Sequence, residues 1–120
     1  MANGEQAGCA CIIPRAEKIA RLNDELRQEG QGGIIVVTCG VRALGSYSVT
    51  AILALLRQYD EFDIDNDPHG ERDFGDLELD GETLFWKVDY YDLDHCYGSP
   101  DPADSTVTSR VLTVMLAQEW

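Results

Sequence analysis

The chain has 120 residues, of which 44% are hydrophobic, and its 22 acidic against nine basic side chains leave a net charge of −13. That length and composition suit one domain with one core, built without disulfides or metals. The charge disfavours direct binding to DNA, RNA or an anionic membrane and favours a basic partner.

The charge is unevenly spread. Residues 60–104 hold sixteen acids against Arg72 and Lys87 alone, whereas residues 1–59 hold five acids and six bases. No apolar run reaches the roughly 20 residues that cross a bilayer, and the start Met1–Gln6 lacks a signal-peptide pattern. A cytoplasmic protein with reduced cysteines is therefore expected.

In chain order, residues 1–13 show no periodicity and are expected to form a flexible tail, with a single α+β domain over 14–120. Ile19, Leu22 and Leu26 recur at helical spacing behind Pro14, and Gly30 supplies a C-terminal stop. The β-branched run Ile34–Thr38 reads as a buried central strand. A second helix, capped by Ser46 or Ser48, presents Val49, Ile52, Leu53, Leu56 and Tyr59 to the core and is expected to be well buried.

Asp60 to Gly75 is an acidic loop rich in turn formers. Leu77 and Leu79, then Leu84, Trp86, Val88 and Tyr90, alternate with polar or aromatic neighbours, and Asp80-Gly81 between the two runs signals a two-residue hairpin. Asp101-Pro102 reads as the start of a last helix, with Val107, Val111 and Met115 as its inner stripe. The expected fold is α+β in the order α-β-α-β-β-α, a three- to four-stranded mostly antiparallel sheet packed by three helices.

Chemistry-bearing patterns are weak. Asp63, Asp65 and Asp67 are spaced like the first ligands of an EF-hand, but Pro68 stands where glycine is needed and Phe74 where the bidentate glutamate belongs. Cys9, Cys11, Cys39, Cys96, His69 and His95 lack zinc-site spacing. The glycines at 30, 32 and 33 precede a strand rather than a helix, and no Gly-x-Ser-x-Gly elbow occurs. No catalytic residue, metal or cofactor is assigned. The enzymatic alternative is a small metal-dependent or acid–base enzyme using Asp67, His69, Glu71 and Asp73.

Alternation places Trp86 and Tyr90 on one sheet face and Phe85 and Tyr91 on the other. One face must meet the helices; the other, if uncovered, offers aromatic anchors rimmed by carboxylates, a composition suited to a basic protein. The candidate partner-binding residues are Asp63, Asp65, Asp67, Glu71 and Asp73 of the loop, Asp76, Glu78, Asp89 and Tyr91 of the hairpin, and Asp92 and Asp94 beyond it. The protein is expected to act as a monomer or homodimer.

Four segments carry a resemblance to a known family: Asp67-Pro68-His69-Gly70-Glu71-Arg72-Asp73-Phe74-Gly75, Phe85-Trp86-Lys87-Val88-Asp89-Tyr90-Tyr91-Asp92, the stretch Tyr97–Asp104, and Arg110-Val111-Leu112-Thr113. From about Ala16 to the end, the chain resembles the bacterial domain of unknown function numbered 3768. The resemblance implies a small α-proteobacterial protein, often encoded on plasmids or other mobile elements, and supplies no catalytic residues. It makes a counter-defence role the sharpest expectation: a non-enzymatic acidic interaction module, a DNA-mimicking anti-CRISPR or antirestriction inhibitor that occupies the basic surface of a nuclease or CRISPR effector complex.

Overall fold

The computed structural model describes residues 13–120; the expected tail, but for Ile13, lies outside them, as do Cys9 and Cys11. Helix α1 spans Arg15–Glu29 and ends where Gly30, at φ 71°, turns left-handed and returns its N–H to Leu26 O. A side chain at that φ would be strained, so glycine sets the stop. Strand β1 is Ile34–Val37, followed by the one-turn helix α2, Cys39–Arg42, and by α3, Ser46–Gln58. Strands β2, Phe74–Leu79, and β3, Glu82–Tyr91, form the expected hairpin. Asp80 at φ 52° and Gly81 at φ 84° make a two-residue connection with both φ positive, the conformation that matches strand twist.

The last element corrects the expectation. Ser109–Leu116 is strand β4, not a helix, and a short 3-10 turn over Ala117–Glu119 closes the chain. Val107, Val111 and Met115 do recur at helical spacing, but Arg110, Leu112, Val114 and Leu116 also alternate with period two, and all four are buried whereas Val107 and Val111 are only half-buried. Threonine and valine crowd residues 106–114, and β-branched side chains lose less rotamer freedom in a sheet than in a helix.

The sheet order is β1-β4-β3-β2, with β1 parallel to β4 and the other pairs antiparallel. Over the described residues the fold is α+β with three α-helices and a four-stranded sheet, and that sheet is mixed rather than mostly antiparallel. β4 takes the central place that the sequence suggests for Ile34–Thr38. β1 is instead an edge strand, with Ile34 52% and Val36 39% exposed.

The helices share one sheet face. Leu26 of α1 and Ile52 and Leu56 of α3 pack with Leu84, Trp86, Leu112 and Val114, all but closed to solvent. Each such side chain contributes roughly 1.5–3 kcal/mol by leaving water. α3 buries only its inner stripe, and Tyr47 on its outer side is 91% exposed. Gly75 permits a close contact in this core: a Cβ there would stand 2.5 Å from Trp86 Nε1 and 2.7 Å from the Tyr59 ring. Among the described residues no helix is long and apolar enough to cross a membrane.

Candidate protein-interaction surface

No helix among the described residues covers the second sheet face. Across it, Asp76 lies opposite Phe85 and Phe85 opposite Met115; one row on, Phe74 faces Lys87, Lys87 faces Thr113 and Thr113 faces Val36. Trp86 is fully buried under the helices while Phe85 lies on this outer side, the division that alternation predicts. Phe74 stands beside Phe85, because its parity places it with Asp76 and Glu78.

The C-terminal turn completes the cluster. Ring centroids of Phe74, Phe85 and Trp120 lie 5.1–5.7 Å apart, at tilted or edge-on angles that aromatic quadrupoles favour. Glu119 holds this turn: its Oε1 accepts from Thr38 Oγ1–H at 2.6 Å and from Leu116 N–H at 2.8 Å. The Thr38 bond, then the backbone donor, keeps the Glu119 carboxyl below its usual range. Trp120 nonetheless remains 68% exposed.

Beyond the β2 edge the surface continues into a groove of about 420 Å³, where Asp60 and Glu61 face Asp76 and Glu78 around Tyr59 and Leu77. Asp60 and Glu61 are there because α3 ends at Gln58 directly over this edge. Tyr59 O–H donates to Glu61 O at 3.2 Å. Burial, then the charge of Asp76, raises the Tyr59 phenol above its ordinary range, so it stays a neutral donor.

The eleven candidate residues divide into two groups. Asp76, Glu78 and Asp89 belong to the outer face, where Asp89 pairs with Lys87 at 3.0 Å. Tyr91 is partly exposed and stacks on His95, with Asp94 exposed close by. The others, apart from Asp65, bond within the fold or are partly buried. Asp63 Oδ1 accepts the N–H groups of Asp65 and Asn66, Asp67 Oδ1 that of Arg72, and Asp92 Oδ1 that of Cys96. Asp65 is exposed.

Glu71 belongs to an internal network. Tyr90 O–H donates to Glu71 Oε1 at 3.0 Å and accepts from Asn23 Nδ2 at 2.9 Å, and Asn23 Oδ1 accepts from Arg110 Nε at 2.8 Å. Arg72, at φ 52°, adds an ion pair to Asp24 at 2.8 Å. The Asp67–Gly75 loop is thus pinned to α1 rather than serving only the meeting of α3 with the hairpin. Burial, then the neighbouring charge of Glu71, raises the Asp73 carboxyl above its ordinary range. Among the described residues no group of three or more His, Cys, Asp or Glu could hold a metal ion.

Sequence reading missed Asp60, Glu61, Phe74 and Trp120 as members of this surface. Extending the β2 parity back by one pair would have placed Phe74; nothing local places the final tryptophan across two strands. One exposed pair also went unnoticed: Ser109 Oγ and His95 Nε2 lie 2.6 Å apart, with His95 at φ 60°.

No curated protein and no solved structure matches the chain. A family model, described as "Protein of unknown function (DUF3768)", matches residues 37–119, which takes in α3, the whole hairpin, the pinned loop and β4. The chain therefore belongs to the DUF3768 family of proteins of unknown function.

Proposed function

We propose that this protein is a non-enzymatic binding module that presents the β2 edge and the outer sheet face to a basic protein. The observation that carries the reading is the place of Asp76 and Glu78. They stand between the aromatic cluster of Phe74, Phe85 and Trp120 and the carboxylates of Asp60 and Glu61 across the groove. An arginine or lysine entering the groove meets carboxylates on both walls, while a neighbouring apolar side chain covers the exposed indole. That combination of charge-assisted bonds and desolvated aromatic contact is what interface hot spots use.

The most specific form of the proposal is an inhibitor of host defence, acting in the cytoplasm. Carboxylates on a rigid strand occupy lysine and arginine sites that otherwise hold phosphates, so nucleic acid and inhibitor compete. Candidate partners are nucleases and CRISPR effector complexes. The support is the charge of −13 and its concentration in residues 60–104, together with an aromatic surface that mere solubility does not require.

The experiment is a binding panel of purified nucleases and CRISPR effector complexes, read by interferometry with nuclease activity in parallel. Binding at about 0.05 M salt that fades by about 0.5 M, and is lost in the double variant Asp76→Lys/Glu78→Lys, is the expected result. Absence of binding at low salt, or undiminished binding by the double variant, overturns it.

A further inference from the structure

The opposite edge of the sheet carries the opposite charge. Ile35, Val36 and Val37 of β1 all line a cavity of about 360 Å³, within the size range of ligand sites. Successive strand side chains point to opposite faces, so a cavity touched by three in a row runs along the strand edge. Among the described residues that edge has no neighbouring strand, since β1 pairs there with β4 alone. Thr38 N–H donates to Val114 O at 3.1 Å, and alternation turns the N–H and C=O of Ile35 and Val37 toward the open side.

The far wall is apolar, formed by Val49, Leu53 and Leu56 of α3. Charge is added by Arg27, Arg42 and Arg57, and among the described residues no carboxylate lines the cavity. This is notable in a chain with nine bases among 22 acids. Arg42 and Arg57 are exposed and make no ion pair among the described residues. The Arg27 side chain is 2% exposed; one of its nitrogens bonds Asp24 at 3.0 Å, while its buried Nε has no hydrogen-bond partner among the described residues. A buried donor without an acceptor is costly, and a ligand oxygen offsets that cost.

We propose that this groove binds an extended segment of a partner protein, added to β1 as a fifth strand, whose helix-facing positions carry both apolar and acidic side chains. Its backbone pairs with Ile35 and Val37; of the side chains turned to the helices, the apolar ones enter the wall of Val49 and Leu53 and the carboxylates meet Arg42 and Arg57. Strand addition supplies affinity through the main chain, and the guanidiniums select the sign of the ligand. Charge complementarity favours this occupant over a basic one. The site is separate from the acidic edge, so the protein carries two docking edges of opposite sign.

The test uses the full chain and a fluorescein-labelled octapeptide with valine and glutamate taking turns at every second position and threonine between them, so that both share one face of the strand, read by anisotropy. Saturable binding is expected, with at least about tenfold weakening in Arg42→Glu/Arg57→Glu, whose exposed positions leave the core intact. Replacing the peptide's glutamates by lysine, or methylating alternate backbone nitrogens, abolishes binding. The Asp76→Lys/Glu78→Lys variant binds the peptide as the wild type does, which separates this site from the acidic edge. No binding of the glutamate peptide, or equal binding of the lysine peptide, overturns the proposal. Sedimentation of the protein alone supplies a further outcome: β2 itself reads Asp76-Leu77-Glu78-Leu79, and concentration-dependent growth abolished by Arg42→Glu/Arg57→Glu would assign the groove to a second copy and overturn the partner reading.

Discussion

Arg110 and Asn23, 87 positions apart in the chain, meet in the interior with the guanidinium Nε donating to the amide oxygen at 2.8 Å. The same amide donates to the Tyr90 phenol oxygen Oη and to the backbone Glu71 O, so one side chain on α1 satisfies β4, β3 and the acidic loop together. Arg110 also donates to Pro102 O and lies over the Tyr90 ring, 5.2 Å from its centroid. Burial lowers the tendency of Arg110 to hold its proton, and the nearby Tyr90 and Glu71 oppose that effect.

Asn23→Leu preserves bulk but removes the acceptor, leaving a buried charge short of a partner. The expected loss of stability is about 3 kcal/mol, read from urea denaturation. A loss below 1 kcal/mol, on the order of an ordinary single hydrogen bond, would show that the network is not cooperative.

Gly75→Ala drives a methyl group into the contact between Trp86 and Tyr59. Both neighbours belong to a packed core and have little room to yield, so the variant is expected to lose about 2 kcal/mol and to shift the Trp86 emission. An unchanged melting temperature would mean that the β2 edge relaxes freely.

Asp73 gives a pH dependence of definite sign. Its carboxyl is raised in the folded state, by burial and then by Glu71. Between the ordinary aspartate value and the raised one, the native state binds more protons than the unfolded chain. This group's contribution therefore falls as pH rises through that interval. Asp73→Asn is expected to be at least as stable as the wild type at neutral pH, with the advantage shrinking on acidification. Chemical denaturation across the acidic range checks the slope.

Glu119 has the opposite sign. Its lowered carboxyl makes the anchor to Thr38 and Leu116 present above the ordinary glutamate range and lost as pH falls through the lowered value. Glu119→Ala is expected to release Trp120 and to increase acrylamide quenching of the exposed indole, with little change in the buried Trp86. If quenching is unaltered, the ring contacts with Phe74 and Phe85 alone hold the C-terminus.

Gly30, the Asp80-Gly81 turn and the alternation of Leu84, Trp86, Val88 and Tyr90 were legible because each rests on local backbone chemistry or on a period read over a few residues. Two positive φ values, or one inward face, need no distant partner. The membership of Phe85 in the uncovered face followed from the same alternation. The identity of β4 did not, since Val107, Val111 and Met115 satisfy a helix while Leu112 and Val114 satisfy a strand. Pairing with β1 and β3 on its two sides resolves that ambiguity through backbone hydrogen bonds no local window contains. The same non-local pairing puts β1 at an edge and carries Trp120 onto Phe74 and Phe85. It also separates carboxylates that hold loops from those that face outward. The acidic excess itself was plain from the residues, but its partition between internal bonds and an exposed edge follows from how distant strands and helices pack.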